Sequence, residues 1–275
     1  MMTIEELHDH LFNVLLVIDK ICQENNLRYC LDGGTEIGAV REHDFIPWDD
    51  DMDICVLVED YDTFVSVMKD NLPEHFHIVE PIDFSPYFYD NATRIFDDRL
   101  FIRKGTDVDL AYKNYQNHVG TDVFIYSGCP RSKLAQKLFD LKNKIFYGML
   151  MAYRFKIDWS KYTTLQKVQI AVLRFIGRIY SGKTPDRIHK KRKEWIFSYN
   201  AQKTGFRKSV NPPLLEHYMR PMKNEWFFPV VNAEIRGKRF PVESGYDNKL
   251  ATLYGDYMTP VRDKEKYLVH LETED

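Results

Sequence analysis

The chain has 275 residues, of which 44% are hydrophobic, and its formal net charge is −3. This composition is typical of a soluble globular protein with one large domain, or with one domain and an appendage. No apolar run reaches the roughly 20 residues of a membrane span, and the acidic N-terminus lacks the basic start of a signal peptide. The four cysteines show no Cys-x-x-Cys spacing, which disfavours a zinc site. We therefore expect a cytoplasmic protein.

The first half of the chain alternates between helical and strand-like patterns. Thr3 and Glu6 have the spacing of a capping box, so a helix is expected to begin there. A short strand is predicted at 27–31, followed by a turn at 32–34 and by a short helix that Thr35 caps. The remaining strands of this half are predicted at 52–58, 75–80, 93–97, 107–112 and 120–126, and a helix capped by Asp60 or Asp62 is predicted to run to about 72.

The pattern changes to helices from Arg131 onward, and the charge changes with it. Between Arg131 and Trp195 there are 17 Lys and Arg residues against 4 Asp and Glu, whereas the rest of the chain is acidic. Helices are predicted at 132–155, 164–180 and 185–199, strand-like pieces at 225–231 and 234–240, and a last helix at 246–253. We predict an α+β fold with a mixed β-sheet flanked by helices: 1–130 is the core, 131–205 a basic helical region, and 206–275 packs back on the core.

Four aspartates, at 49, 50, 51 and 53, crowd together where the second strand is predicted to begin. Side chains alternate between the faces of a strand, so Asp51 and Asp53 would lie on one face, about 6 to 7 Å apart. Two carboxylates this close repel each other, and a hard divalent cation removes the repulsion and accepts oxygen ligands. Taken alone the pattern is common, because an acidic loop that runs into a strand has the same sequence.

A second motif, Gly33-Gly34-Thr35, precedes the acids by about 16 residues. Two glycines allow the backbone to approach a phosphate closely, and the N–H groups at the start of the following helix can donate to it. Together the two motifs predict a phosphate-binding segment beside a metal site, which is far more specific than either motif alone.

This combination resembles the signature of the nucleotidyltransferase superfamily, a Gly-Gly or Gly-Ser pair followed by Asp-x-Asp. It is most similar to the LicD family, through the runs Gly38-Ala39-Val40-Arg41 and Phe45-Ile46-Pro47-Trp48 that separate the glycines from the acids. Two later segments extend the resemblance. Gly120-Thr121-Asp122-Val123-Phe124 looks like the family's strand with a third acid, and Tyr254-Gly255-Asp256-Tyr257-Met258 looks like its C-terminal segment.

The resemblance implies a nucleotidyltransferase-like catalytic core and a metal-dependent transfer of a substituted phosphate. The donor would be a CDP-alcohol, typically CDP-choline, although fukutin-like relatives use CDP-ribitol. The acceptor would be a hydroxyl of a cell-surface glycan or teichoic-acid precursor, and CMP would leave. The expected catalytic residues, which would also bind two Mg²⁺ or Mn²⁺ ions, are Asp51, Asp53 and Asp122. The residues expected to bind the donor are Gly33, Gly34, Thr35 and Arg41, although a surface ion pair explains Arg41 equally well.

The chain departs from the family pattern at Glu36, where an apolar residue is usual, and at Asp44, where a glycine is common. Both add negative charge near the site, so they would alter the acceptor or nucleotide pocket and leave the class of reaction unchanged. A quaternary ammonium in the donor would favour an aromatic cage. The run Tyr87-Phe88-Tyr89 is a candidate for it, and core packing explains the same residues equally well.

Three other functions stay open on the sequence alone. The first is a nucleotidyltransferase that moves a nucleoside monophosphate to a small-molecule or sugar acceptor with the same acids. The second is a nucleic-acid-binding module on the basic helices, which the acidic body and the lack of a binding motif disfavour. The third is a relative that binds without catalysis, which the complete set of Asp51, Asp53 and Asp122 disfavours.

The basic region 131–195 has three interpretations. It is a solvated helical face, a site for an anionic glycan acceptor carried on a lipid, or a surface that rests on the anionic inner leaflet of the membrane. The mixture of leucine, isoleucine and phenylalanine with lysine in this region is compatible with the last of these. Peripheral attachment would place a cytoplasmic enzyme at the inner face of the membrane.

Overall fold

A mixed β-sheet lies at the centre of the fold in the computed structural model, which describes residues 2–211 and 219–260. The strands β2 (Asp53–Leu57) and β5 (His118–Gly128) are parallel, whereas the other neighbours along the main path are antiparallel. A further strand extends the sheet beside the end of β5 and pairs with a short one. In spatial order the main path is β1 (Cys30–Leu31), β2 (Asp53–Leu57), β5 (His118–Gly128), β4 (Thr93–Phe101) and β3 (Phe76–Val79), and the extension is β6 (Phe206–Ser209) with β7 (Met222–Lys223). The predicted α+β class is confirmed.

Two long helices cover one face of this sheet. α1 (Ile4–Glu24) begins with the predicted capping box, in which the backbone N–H of Thr3 donates to the Glu6 carboxylate over 2.8 Å. The apolar sides of α1 and α3 (Val58–Asn71) form the main core with alternate residues of β2 and β5, such as Ile54 and Val123. The catalytic candidates Asp53 and Asp122 are out of phase with these residues, so they lie on the opposite face of the sheet.

The opposite face carries the short helix α2 (Gly33–Ile37), which continues into a π-helical turn, Gly38–Glu42. The C-terminal helix α9 (Tyr246–Tyr254) packs on the same side, where its Leu253 joins Cys55 and Tyr126 of the sheet in a second apolar cluster. A separate hairpin, β8 (Val230–Ile235) and β9 (Lys238–Glu243), precedes α9, and β9 lies against β1.

Three long helices, as predicted, make up the basic region: α5 (Lys133–Leu150), α6 (Thr164–Ser181) and α7 (Asp186–Phe197). They are followed by the short helix α8 (Ala201–Thr204). Two glycines bring α5 and α6 into close contact, because a Cβ on Gly148 would overlap Leu173 and a Cβ on Gly177 would overlap the backbone of Met149. The division of the chain at 130 and 205 stays a prediction.

Several local predictions are wrong. The segment predicted as a strand at 107–112 is the helix α4 (Asp107–Ala111), because Thr106 and Asp109 form a capping box. α3 begins at Val58 without a side-chain cap, so neither Asp60 nor Asp62 starts it. In the C-terminal part the strand-like pieces are shifted: Asn224–Phe227 is a 3-10 turn, and the hairpin turns at Arg236-Gly237, where both residues have positive φ.

Candidate active site

Asp53 and Asp122 lie side by side on the two parallel strands at the centre of the sheet. They are register partners in the β2–β5 ladder, and neighbouring strands are separated by about 4.8 Å. The backbone N–H of Asp122 donates to the carbonyl of Met52 over 3.1 Å, so the pairing extends to the residue before Asp53. The structure therefore brings together the second and third predicted acids, Asp53 and Asp122, with Asp51 two residues before Asp53.

Burial and their closeness to the other acids raise the pKa of two aspartates of the site, Asp53 and Asp49. Asp53 is only 9% exposed, and burial raises the pKa of its carboxyl well above the usual range, with further increases from the charges of Asp51 and Asp122. Burial also raises the pKa of Asp49 to about 8, and the charge of Asp51 and a hydrogen bond to it act in the same direction. A site with these repulsions favours a bound cation.

The Gly-Gly-Thr segment is helical from its first residue, so the predicted turn at 32–34 is wrong. Gly33, with φ of 55°, and Gly34 form the first turn of α2. The Thr35 hydroxyl does not cap the helix; it accepts a hydrogen bond from the backbone N–H of Asp53 over 2.9 Å. A Cβ on Gly34 would overlap the carboxylate of Asp49. The space that the missing side chain of Gly34 leaves is thus occupied by the carboxylate of Asp49.

This contact predicts that Gly34→Ala displaces Asp49 from the helix. We expect a loss of about 1 to 3 kcal/mol in the free energy of unfolding, measured with urea, because the added methyl group overfills a packed site. Gly105→Ala is the control, since its Cβ would lie 3.2 Å from the nearest atom, Asn114 Oδ1. A change of less than about 1 kcal/mol is expected there. Equal effects at the two glycines would contradict the prediction.

An arginine that the sequence did not indicate contacts the third acid. Arg94, on β4, is the register partner of Asp122, and its Nη1 lies 2.7 Å from Asp122 Oδ1. Its Nη2 donates to the carbonyl of His118 over 3.0 Å, which fixes the guanidinium against the sheet. The side chain of Asp122 is 35% exposed, so it faces solvent on its other side. Arg94 supplies a positive charge where the transferred phosphate is expected.

Arg41, a predicted phosphate-binding residue, lies in the π-helical turn after α2. Its side chain is 10% exposed, and it pairs with Glu42 Oε1 over 2.7 Å. A second nitrogen donates to the carbonyl of Tyr257, so the C-terminal segment noted for its resemblance lies beside this turn. The charge of Arg41 opposes the rise in the pKa of Asp49, which means that the two residues are close. A surface ion pair with Glu42 therefore describes only part of the role of Arg41, because its side chain also links the turn after α2 to the C-terminal segment at Tyr257.

A buried charge cluster lies behind α2. The ammonium of Lys249 is 3.0 Å from Asp32 Oδ1, 2.8 Å from Glu36 Oε2 and 2.9 Å from Glu243 Oε1, and all four residues are buried. Burial raises the pKa of Glu36 well above its usual range. The expectation that Glu36 alters a substrate pocket is therefore wrong, because the residue is part of the interior and pairs with the C-terminal helix. Asp44, the other departure, pairs with Arg236 over 2.8 Å.

The central residue of the aromatic run Tyr87-Phe88-Tyr89 packs in the protein interior. Phe88 is fully buried and packs against Tyr147, with ring centroids 5.4 Å apart. Tyr89 packs on Tyr112 at 5.0 Å, and burial followed by the charge of Asp122 raises its pKa to about 12. Core packing thus explains Phe88, whereas Tyr89 lies close enough to Asp122 to border the site.

The three predicted acids fit a divalent cation by their chemistry. Carboxylate oxygens are the ligands that Mg²⁺ and Mn²⁺ prefer, and a cation would remove the repulsion among Asp51, Asp53 and Asp122. Within residues 2–211 and 219–260, no three His, Cys, Asp or Glu side chains are placed around a common point as metal ligands. Asp122 pairs with Arg94 instead. Their role as ligands remains a prediction, and it requires the Asp122 carboxylate to turn toward the other two.

The mixed sheet, the helical Gly-Gly-Thr segment and the paired acids define a nucleotidyltransferase-type domain. Residues 26–128 match the family model described as LicD/FKTN/FKRP, nucleotidyltransferase domain. The matched part runs from the end of α1 to the end of β5, and it includes α2, Arg94 and every acid of the site. Residues 26–128 form a LicD/FKTN/FKRP nucleotidyltransferase domain, and the chain is a transferase.

Similarity to known proteins extends beyond this domain. The chain is 27% identical over 277 residues to the lipopolysaccharide cholinephosphotransferase LicD of Haemophilus influenzae, which covers 94% of this chain and 93% of that protein. It is also 26% identical over 180 residues to an uncharacterized protein of Rickettsia typhi, with 62% of this chain and 52% of that protein covered. The similarity to the Haemophilus protein includes the basic helices and the C-terminal segment as well as the matched domain.

Proposed function

We propose that this enzyme transfers phosphocholine, or the phosphate of another alcohol, from a CDP-alcohol to a hydroxyl of a cell-surface glycan or teichoic-acid precursor and releases CMP. The observation that carries the proposal is the pairing of Asp53 with Asp122 beside the Gly-Gly-Thr helix. The choice of choline rests on the cholinephosphotransferase activity in the name of the Haemophilus relative, which resembles this chain over nearly its whole length.

The proposed reaction is a displacement at phosphorus. The acceptor hydroxyl oxygen bonds to the phosphorus that carries the alcohol, the bond from that phosphorus to the bridging oxygen of the diphosphate breaks, and CMP leaves with the bonding electrons. The hydroxyl proton goes to a carboxylate, for which we propose Asp122. Such reactions depend mainly on positioning and on the neutralisation of charge, and both requirements fit a group of acids beside a phosphate-binding segment.

The residues of the site have separate roles in this proposal. Asp51, Asp53 and Asp122 hold two Mg²⁺ or Mn²⁺ ions, which when bound would neutralise the diphosphate and the leaving CMP. The backbone of Gly33 and Gly34, the Thr35 hydroxyl and Arg41 hold phosphate oxygens of the donor. Arg94 becomes available to the transferred phosphate when Asp122 turns toward Asp53, because a guanidinium binds phosphate and carboxylate oxygens with the same geometry.

A second candidate is transfer of a nucleoside monophosphate, which the same acids would support and which the name of the matched domain describes. Product analysis separates the two. We would incubate the enzyme with CDP-choline, CDP-ethanolamine, CDP-ribitol and CDP-glycerol, with and without Mg²⁺ or Mn²⁺, and measure CMP. Metal-dependent CMP from one donor supports the proposal and identifies the alcohol. Pyrophosphate from a nucleoside triphosphate, with no CMP from any donor, supports nucleotidyl transfer instead.

We also propose that the enzyme works in the cytoplasm, at the inner face of the membrane, where a lipid-linked glycan acceptor would be presented. This proposal is supported by the charge of residues 131–195, which contain 17 Lys and Arg residues and only 4 Asp and Glu residues. Such a basic region is attracted to an anionic surface. The glycan acceptor itself follows the Haemophilus relative, whose name specifies lipopolysaccharide.

Replacing Arg94 tests its role beside the third acid. Arg94→Gln is expected to lower kcat/KM for CMP release about tenfold to a hundredfold, which is the usual cost of losing a residue that orients a catalytic acid. Arg94→Lys should recover only part of the rate, because an ammonium lacks the planar pair of donors. The control is Arg99→Gln, which removes an Arg–Asp pair on the same strand outside the site. Equal rates for Arg94→Gln and Arg99→Gln would remove Arg94 from the site.

A further inference from the structure

Helix α6 exposes a continuous row of large apolar side chains. The row recurs every three or four residues, which places its members on one side of the helix. The other side is occupied, since Leu173 and Gly177 pack on α5. The row therefore points away from the protein, with exposures between 43% and 71%, and consists of Leu165, Val168, Val172, Phe175, Ile176 and Ile179.

Helix α5 carries a second row of the same kind. Its members are separated by four, three and four residues and are between 39% and 71% exposed. Phe139 and Tyr147, on the other side of the helix, are buried. The exposed residues of α5 are Leu134, Leu138, Leu141 and Ile145.

We call these ten residues of α5 and α6 the α5–α6 apolar face. Single exposed apolar side chains are normal on proteins, but rows of this length on two packed helices indicate a surface that binds something apolar. Within the part of the chain that the structure describes, no helix is both long and apolar enough to cross a bilayer.

Charge identifies the occupant. Lys133 and Lys137 directly precede Leu134 and Leu138, and the region 131–195 has 17 basic residues against 4 acidic ones. A second copy of this chain would bring two strongly basic surfaces together, which electrostatic repulsion opposes. A lipid surface with anionic headgroups satisfies both features, because it accepts apolar side chains at its interface and attracts lysine and arginine at the same depth.

We propose that the α5–α6 apolar face docks on an anionic lipid bilayer, with its leucine, isoleucine, valine and phenylalanine side chains in the interface and the neighbouring lysines on the headgroups. This inference goes beyond the proposed reaction, because lipid binding requires neither donor nor acceptor. It also gives a physical basis for an acceptor that is carried on a lipid, since docking would hold the enzyme at the surface where such a substrate lies.

The experiment is co-sedimentation of the full chain with vesicles of phosphatidylcholine alone and with vesicles that contain about one third phosphatidylglycerol. Binding to the anionic vesicles is expected at low salt, and it should fall as salt is added. Leu138→Ser with Phe175→Ser is expected to weaken it at least about tenfold, because both side chains would leave the lipid. The matched control is Leu110→Ser with Val230→Ser, which removes two exposed apolar side chains outside the face and should bind like the wild type.

A charge variant tests the second half of the inference. Lys133→Gln with Lys137→Gln is expected to lower binding about tenfold or more at low salt and to have little effect at high salt. The inference is overturned if the wild type binds neither kind of vesicle, if it binds both equally, or if Leu138→Ser with Phe175→Ser binds like the wild type. A dimer that this last variant converts to a monomer, without vesicle binding, would assign the face to a second copy of the chain. CMP release is independent of all these results, so it separates a failure here from a failure of the proposed reaction.

Discussion

The Asp53→Asn variant is expected to release CMP at least about a thousandfold more slowly than the wild type. A metal-binding carboxylate stabilises the transition state by several kcal/mol, and each 1.4 kcal/mol corresponds to about a factor of ten in rate. Asparagine has nearly the same volume as aspartate, and the contacts that fix this position belong to the backbone. The N–H of Asp53 donates to Thr35, and its carbonyl accepts from the N–H of Asp32 over 3.0 Å. The loss should therefore come from the missing charge and leave the fold intact.

Stability distinguishes this explanation from damage to the structure. Burial and the neighbouring acids raise the pKa of Asp53, so ionising it in the folded state costs free energy at neutral pH. In an unfolded chain the same carboxyl ionises freely above about pH 4, so the wild type is penalised across the range above that pH. Asp53→Asn removes the penalty. Without added metal, the variant is expected to unfold at a temperature equal to or higher than that of the wild type.

Metal should reverse the order. A ligand at about a hundred times its Kd stabilises a folded protein by about 2.7 kcal/mol, so Mg²⁺ or Mn²⁺ should raise the unfolding temperature of the wild type and leave that of Asp53→Asn almost unchanged. Asp98→Asn is the control, because Asp98 is a partly exposed acid of β4 that pairs with His77 outside the site. A metal-dependent rise of the same size in wild type and Asp53→Asn would mean that Asp53 is not a ligand.

The sequence was sufficient to predict the elements whose hydrophobic pattern repeats over several turns or whose ends carry capping residues. α1 has its capping box, and α5, α6 and α7 repeat apolar residues over several turns. β2 and β5 are apolar runs of the right length in the core. α4 was predicted as a strand because five residues are too few to show a period, and only the Thr106–Asp109 capping box distinguishes it.

The site was only partly visible in the sequence. Asp51 and Asp53 were conspicuous because carboxylates rarely enter an apolar strand, and the register of β2 with β5 then placed Asp122 beside them. Arg94 gave no such signal, since a single arginine in a strand with alternating burial is usually on the solvent face. Its partner is 28 residues away, and only the antiparallel pairing of β4 with β5 brings them together. The role of Lys249 could not be predicted either, because its partners Asp32 and Glu36 are distant in sequence and only the fold brings them together.

Lys249→Met is expected to lower the free energy of unfolding by about 3 to 5 kcal/mol, because it leaves buried carboxylates without their cation. Lys249 is itself completely buried and touches Asp32, Glu36 and Glu243 within 3.0 Å. Urea denaturation is the measurement. The control is Lys20→Met, whose exposed pair with Glu24 spans 3.9 Å and should contribute less than about 1 kcal/mol. A cost for Lys249→Met as small as that control would mean that the cluster does not hold α9 to α2.

The carboxylates of the cluster should differ in their response to neutralisation. Burial raises the pKa of Glu36 well above its usual range, whereas Lys249 and a hydrogen bond to Glu36 overcome the effect of burial on Glu243 and bring its pKa below the ordinary value. Glu36→Gln should therefore cost less than about 1 kcal/mol, the net worth of an ordinary hydrogen bond. Glu243→Gln should cost more, because it removes the charge that balances Lys249. If Glu36→Gln were the more damaging change, Glu36 would be the ionised partner, and the negative charge of the cluster would lie on the helix that carries Gly33 and Gly34, closer to the proposed phosphate site.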